Sequence, residues 1–113
     1  MSAKYDFDLF QGATFTRTLT LKDNDDNPID LTTGSPSFTG QIRTSYTSNT
    51  VEATFTITIV DGVNGIISWN LSATDTATVP AQQCVYDVEY TQADGDIVRI
   101  LEGFVNVKPN VTR

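Results

Sequence analysis

The sequence predicts an all-β, two-sheet sandwich of roughly seven to eight short antiparallel strands, and three observations carry that expectation. Residues 13–21 and 53–59 place threonine at every second position, with mostly Phe, Leu, Ile or Ala between. A strand returns a side chain to one face every two residues and a helix every 3.6, so Thr14, Thr16, Thr18 and Thr20 share one face while Phe15, Leu19 and Leu21 take the other. Clusters of Asp, Asn, Gly and Pro punctuate the chain at regular intervals. Only one short segment carries a helix signal, Ser72 with Asp75 three residues on, an Asp variant of the capping box ahead of residues 73–79 and Pro80.

Taken in order, Tyr5, Phe7 and Leu9 alternate with Asp6 and Asp8 in a first strand, and Gly12 marks a bend before the threonine-rich second strand. The run Asp23-Asn24-Asp25-Asp26-Asn27-Pro28 is a turn, because Asn and Asp fold onto their own backbone and Pro presets φ. Residues 29–31 form a short strand or edge segment. After a loop with Gly34 and Pro36, Phe38, Ile42 and Tyr46 fall on one face of the next strand, with Gly40 admitting a neighbouring side chain. A long strand then carries Val51, Ala53, Phe55, Ile57 and Ile59, and residues 61–65 turn it into a strand with Ile67, Trp69 and Leu71 facing inward. Residues 73–79 are too few for an independent helix, so this segment crosses an end of the sandwich.

The last hairpin joins residues 84–91 to 97–107 through Asp94-Gly95. If those two residues form a type I′ loop, Val88 faces Leu101, Cys84 faces Val105 and Tyr86 faces Gly103, which leaves room for the tyrosine ring. The same register sends Val85, Asp87 and Glu89 to the opposite face beside Ile100, Glu102 and Phe104. Asp87 then faces Glu102, a like-charge pair that Arg17, Arg43 or an arginine of a partner would have to neutralise. The spacing of strands and polar turns is that of an immunoglobulin-like sandwich, with a small closed barrel as the alternative. Trp69 is the candidate core anchor, without the cysteine pair that flanks such a residue in antibody domains.

A length of 113 residues suits one domain, residues 1–113, and 39% hydrophobic content with six phenylalanines is enough for one packed core. A formal charge of −7 with only seven scattered basic residues opposes binding to nucleic acid or to an anionic membrane. The single cysteine, Cys84, precludes an intrachain disulfide and sits in an apolar run that reads as core. No segment has the make-up of a signal peptide or the length of a bilayer span, so the sequons at Asn70 and Asn110 read as accidental.

The chain has no histidine, and with it go the usual general base, the commonest transition-metal ligand and the middle member of a Ser-His-Asp triad. The expectation is a protein without catalytic, cofactor-binding or metal-binding residues. Asp23-x-Asp25-x-Asn27 resembles the start of a calcium loop, but Pro28 stands where the sharp-turn glycine belongs and Gly34 where a bidentate glutamate belongs, so a solvated turn is the plainer reading of residues 23–30. Recognition by surface remains. Val85, Ile100, Glu102 and Phe104 form a candidate partner-binding patch on the outer face of the last hairpin, unless a second sheet or terminal strand packs over them. Tyr5, Tyr46 and Tyr90 are the aromatic platforms available to a carbohydrate-binding module, although alternation turns most of them inward.

Several segments in order resemble a family of small tailed-phage virion proteins similar to the immunoglobulin-like amino-terminal domain of baseplate upper proteins. They are Gln11-Gly12 with Phe15, Asn27-Pro28-Ile29-Asp30-Leu31-Thr32, Gln41-Ile42-Arg43, Leu71-Ser72 with Thr76, Val79-Pro80-Ala81, Val85-Tyr86-Asp87-Val88-Glu89, and Asp94-Gly95 ahead of Arg99-Ile100-Leu101-Glu102-Gly103. Residues 31–36 depart from the tighter Leu-Thr-Gly-aromatic run of the pattern. The resemblance implies a non-enzymatic structural component of the virion, assembled in the host bacterial cytoplasm and present in multiple copies. Its partners would be other virion proteins of the tail, baseplate or fibre attachment, or of the capsid if it decorates the head or joins the neck.

Overall fold

The computed structural model describes residues 3–23, 25–32, 36–92 and 94–109. Among them are nine strands and one helix: β1 (Ala3–Lys4), β2 (Phe7–Phe10), β3 (Phe15–Thr20), β4 (Ser37–Arg43), β5 (Ala53–Thr54), β6 (Thr56–Asp61), β7 (Ile66–Leu71), α1 (Ala73–Ala77), β8 (Gln83–Thr91) and β9 (Ile97–Lys108). They build two packed sheets. The larger has the order β1-β9-β8-β4-β5, with β2 continuing β1 along β9, and the smaller has the order β3-β7-β6. In immunoglobulin lettering, β3, β6 and β7 stand where strands B, D and E do, and β4, β8 and β9 where C, F and G do. The fold is therefore an all-β two-sheet sandwich.

Alternation places the core as the sequence predicts. Phe7, Leu9, Phe15, Ile42, Phe55, Trp69, Leu71, Tyr86, Val88 and Val105 are buried between the sheets, and the threonines of β3 face solvent. Trp69 is the hub: Tyr86 stacks on it at 5.7 Å, while Phe7, Phe15 and Phe55 meet it edge-on at 5.2–5.5 Å. Such offset and T-shaped pairs add about 0.5–1.5 kcal/mol each beyond the area they bury. A second cluster of Leu21, Leu31, Ile67 and Tyr90 fills the end near the β6–β7 turn. Gly40 is buried, and a Cβ there would crowd the Phe55 ring at 2.9 Å.

Several local expectations are corrected. The sheets are not wholly antiparallel: β1 and β2 run parallel to β9, with Ala3 opposite Leu101 and Phe7 opposite Val105. Between them, Tyr5 N–H donates to the Glu102 carbonyl, and the Asp6 carboxylate accepts from Phe104 N–H at 2.9 Å in place of a backbone carbonyl. The space at Gly103 is filled by the Tyr5 backbone carbonyl and the Asp6 carboxylate, and the Tyr86 ring opposite is held by its hydroxyl donating to the Tyr5 carbonyl at 2.5 Å. The single long strand expected through residues 51–59 is two: β5 pairs with β4 in the larger sheet, the chain crosses at Phe55, and β6 pairs with β7 in the smaller. Val51 precedes β5 and is exposed. Residues 29–31 form no regular strand; a lone Lys22–Pro28 bridge and the Ile29 N–H to Leu21 carbonyl bond hold them. Tyr46 lies beyond the end of β4 and is 65% exposed.

The helix starts where expected, with the Ser72 hydroxyl accepting from Asp75 N–H, but ends at Ala77, and Val79 drops into the core. It connects β7 to β8, and so passes from the smaller sheet to the larger. Thr76, fully buried, pins this end: its hydroxyl accepts from Gly12 N–H at 3.1 Å and donates to the Ala13 carbonyl at 2.9 Å. Gln11 Nε2 donates to the Val79 carbonyl at 2.7 Å, and Gly12 takes the positive φ of 79° that the turn requires. Residues more than sixty positions apart thus form one joint. The turn around Gly34 and the sequon at Asn110 lie outside the described residues, and the sequon at Asn70 sits within β7.

Candidate docking surface

The outward face of the larger sheet is set by the register of β8 on its two neighbours. Val88 opposes Leu101, Tyr86 opposes Gly103 and Cys84 opposes Val105, so Val85, Asp87 and Glu89 point away from the core. On the other side Gln41 opposes Asp87 and Arg43 opposes Val85. The turn that closes the hairpin is wider than a two-residue type I′ loop: Gln92 N–H donates to the Asp96 carbonyl and Gly95, at φ 95°, donates to the Gln92 carbonyl. The expected register beyond it is restored by a bulge between Val88 and Glu89, where Glu89 opposes Arg99 and Ile100 is the extra residue.

That bulge decides the electrostatics. By strict alternation Arg99 would share the inward face of Leu101 and Gly103. With one residue inserted it turns outward, and its guanidinium lies 3.3 Å from Asp87 and 3.2 Å from Glu102. The like-charge pair is therefore bridged by Arg99 and not by Arg17 or Arg43. Arg17 lies over the Phe15 ring at 4.7 Å, and Arg43 donates to the Ser48 carbonyl and the Gln41 side chain. Nothing in the alternation of β9 signals the bulge, since Ile100 is an ordinary strand residue.

The four residues singled out for partner binding occupy unlike environments. Val85 points outward but is only 8% exposed, and Phe104 opposite it is 38% exposed. Glu102 is half-buried in the Arg99 clamp. Ile100 is turned by the bulge to pack against both core clusters, so Phe104 is the apolar part of this group open to solvent. Next to it, Gln41, Arg43, Tyr46, Asp87, Glu89 and Arg99 line a shallow groove of about 290 Å³. Its walls offer guanidinium donors, carboxylate and amide acceptors and one aromatic face, a surface suited to hydrogen-bonded contact with another protein.

Reactive groups elsewhere are engaged. Burial raises the pKa of the Cys84 thiol, with the Glu52 charge adding to the effect, and its sulfur rests near the Gln82 carbonyl. Asp23 spends one carboxylate oxygen on Asp25 N–H and Asn27 N–H, as a turn-forming aspartate does, while Asp26 takes a positive φ of 66°. Asp30 accepts from both the backbone and the hydroxyl of Thr32, which lowers its pKa. Among the described residues no three His, Cys, Asp or Glu side chains gather to hold a metal ion, and no helix is long and apolar enough to cross a membrane. Of the three tyrosines considered for carbohydrate binding, Tyr90 is buried against Phe38 at 5.0 Å, while Tyr5 and Tyr46 are exposed.

No family model matches the chain, and no curated protein matches it.

Proposed function

We propose that this protein is a non-enzymatic structural component of a tailed-phage particle, docking tail, baseplate or fibre components through its sheet edges, loops and the outward face of the larger sheet. One observation carries the reading. Gln41, Arg43, Asp87, Glu89, Arg99 and Glu102 come from three separate segments of the virion-protein resemblance, and they converge on that single face. The Gln11–Thr76–Val79 joint likewise draws on three such segments. Contacts of this kind are individually modest, and a symmetric particle multiplies them. Head decoration or neck attachment uses the same surfaces and differs in the neighbour.

Immunogold labelling of intact virions tests the proposal: label on the tail or baseplate supports it, label on the head supports decoration, and particles that carry none of the protein overturn both. Phe104→Asp, at a partly exposed position, is expected to leave the fold intact and to abolish incorporation into particles.

A second reading, a carbohydrate-binding module at the host surface, draws on a different trough of about 390 Å³ where Tyr5, Asp6, Asp8, Phe10 and Arg17 meet at the open side of the sandwich. Exposed aromatic rings beside carboxylates suit a sugar's apolar face and hydroxyls. Glycan-array binding lost in Tyr5→Ala would favour it.

A further inference from the structure

The smaller sheet ends in an edge strand, β6, whose residues 56–59 lack the protection given to the other edges, the bulge before Asp61 and Asp61 itself guarding only its end. Natural sheets blunt their edges with charge, breaks or short strands. The β3 edge carries Arg17 at mid-strand, the β1–β2 edge carries Lys4, Asp6 and Asp8 and is interrupted at residues 5–6, and β5 is two residues long. By contrast, residues 53–60 of the β5–β6 run contain no charge, proline or glycine. Thr56, Thr58, Ile59 and Val60 are exposed, and among the described residues β6 pairs only with β7.

The outward face behind residues 56–58 is uncharged as well, with Asp61, opposite Ile66, the first charge beyond it. Register aligns Thr16, Asn70 and Thr56 in one row and Thr18, Ser68 and Thr58 in the next. In a chain of net charge −7, such a region is where a second, equally negative copy meets the least repulsion. We propose that β6 is a self-association edge, pairing antiparallel with β6 of a second copy across a two-fold axis at Ile57 or Thr58. The two three-stranded sheets then become one of six strands. Keeping both threonine faces on the same side requires the axis to pass through a residue position and not between two, because a one-residue slip turns the faces over. The bulge between Ile59 and Asp61 ends the pairable stretch, and the exposed Val60 within it and Val63 beyond it supply apolar cover for the partner's strand. Each copy has one such edge, so the assembly closes at two. None of this rests on the virion reading, which stands or falls separately.

Sedimentation of the full chain over a wide concentration range, with the variants Thr58→Lys and Thr18→Lys, tests the assignment. The expected result is a dimer for the unaltered chain and for Thr18→Lys, and a monomer with an unchanged circular dichroism spectrum for Thr58→Lys. Amide exchange at residues 56–59 should speed up at least tenfold on dilution to monomer, a readout that holds even if Thr58→Lys folds poorly. A monomer at every concentration, an open-ended polymer, a dimer indifferent to Thr58→Lys, or exchange at residues 56–59 unaffected by dilution would overturn the proposal.

Discussion

Gly103→Ala probes the contact on which the amino-terminal strand depends. An added Cβ would lie 2.6 Å from the Asp6 carboxylate and closer still to the Tyr5 carbonyl oxygen, against the roughly 3.4 Å of an ordinary contact. The segment is tied on both sides by β1 and β2 pairing to β9, so it must shift by about an ångström, and overpacking of this kind costs about 1–3 kcal/mol. The same shift pulls the Tyr5 carbonyl from the Tyr86 hydroxyl and Asp6 from Phe104 N–H, and a buried polar group left unpaired costs about 1–3 kcal/mol more. The sum, about 2–6 kcal/mol, is a large part of the roughly 5–15 kcal/mol that holds a domain folded. Urea unfolding followed by Trp69 fluorescence measures it, and amide exchange should show protection lost first at residues 3–10. A loss below about 1 kcal/mol with that protection intact would refute the account of Gly103.

Thr76→Val keeps the buried volume but leaves Gly12 N–H and the Ala13 carbonyl without their partner; a loss of about 1–3 kcal/mol in chemical unfolding is expected, with Thr76→Ser largely restoring it. Arg99→Ala leaves Asp87 facing Glu102, and because the clamp is half exposed the expected cost is only about 0.5–1 kcal/mol, shrinking as salt is added. Burial, with the nearby Tyr5 and Asp6 charges, raises the Tyr86 phenol pKa, so the folded protein keeps that proton where the unfolded chain releases it. This contribution is complete below the usual tyrosine value of about 10 and declines as the pH rises past it, and Tyr86→Phe should lack that decline when unfolding is measured against pH.

Short-range pattern was legible in the sequence and long-range geometry was not. The facing of Val88 on Leu101 and Tyr86 on Gly103 follows from alternation and a nearby turn, and it holds even though the turn is wider than expected, because the bulge at Ile100 compensates. The bulge itself leaves no trace in the pattern, so alternation hides the outward swing of Arg99 and points to arginines of other strands for the bridging charge. Likewise, the unbroken Thr–Ile alternation through residues 53–59 hid the crossing at Phe55, since a strand that changes sheets keeps its periodicity. The parallel docking of β1 and β2 on β9 joins residues about a hundred positions apart with no connecting turn to announce it. For the candidate surface, the sequence marked Phe104 and Glu102 by face but not the solvent exposure that separates Phe104 from Val85 and Ile100.

That parallel docking also has a mechanical consequence. The incoming strand and the final strand lie side by side and run the same way, so tension applied between the two ends of the chain drags them past each other lengthwise. The backbone bonds from Ala3 to Lys108, with the Asp6 tie among them, are then loaded together rather than unzipped one at a time. The seam between first and last strands is the place where this domain resists being stretched.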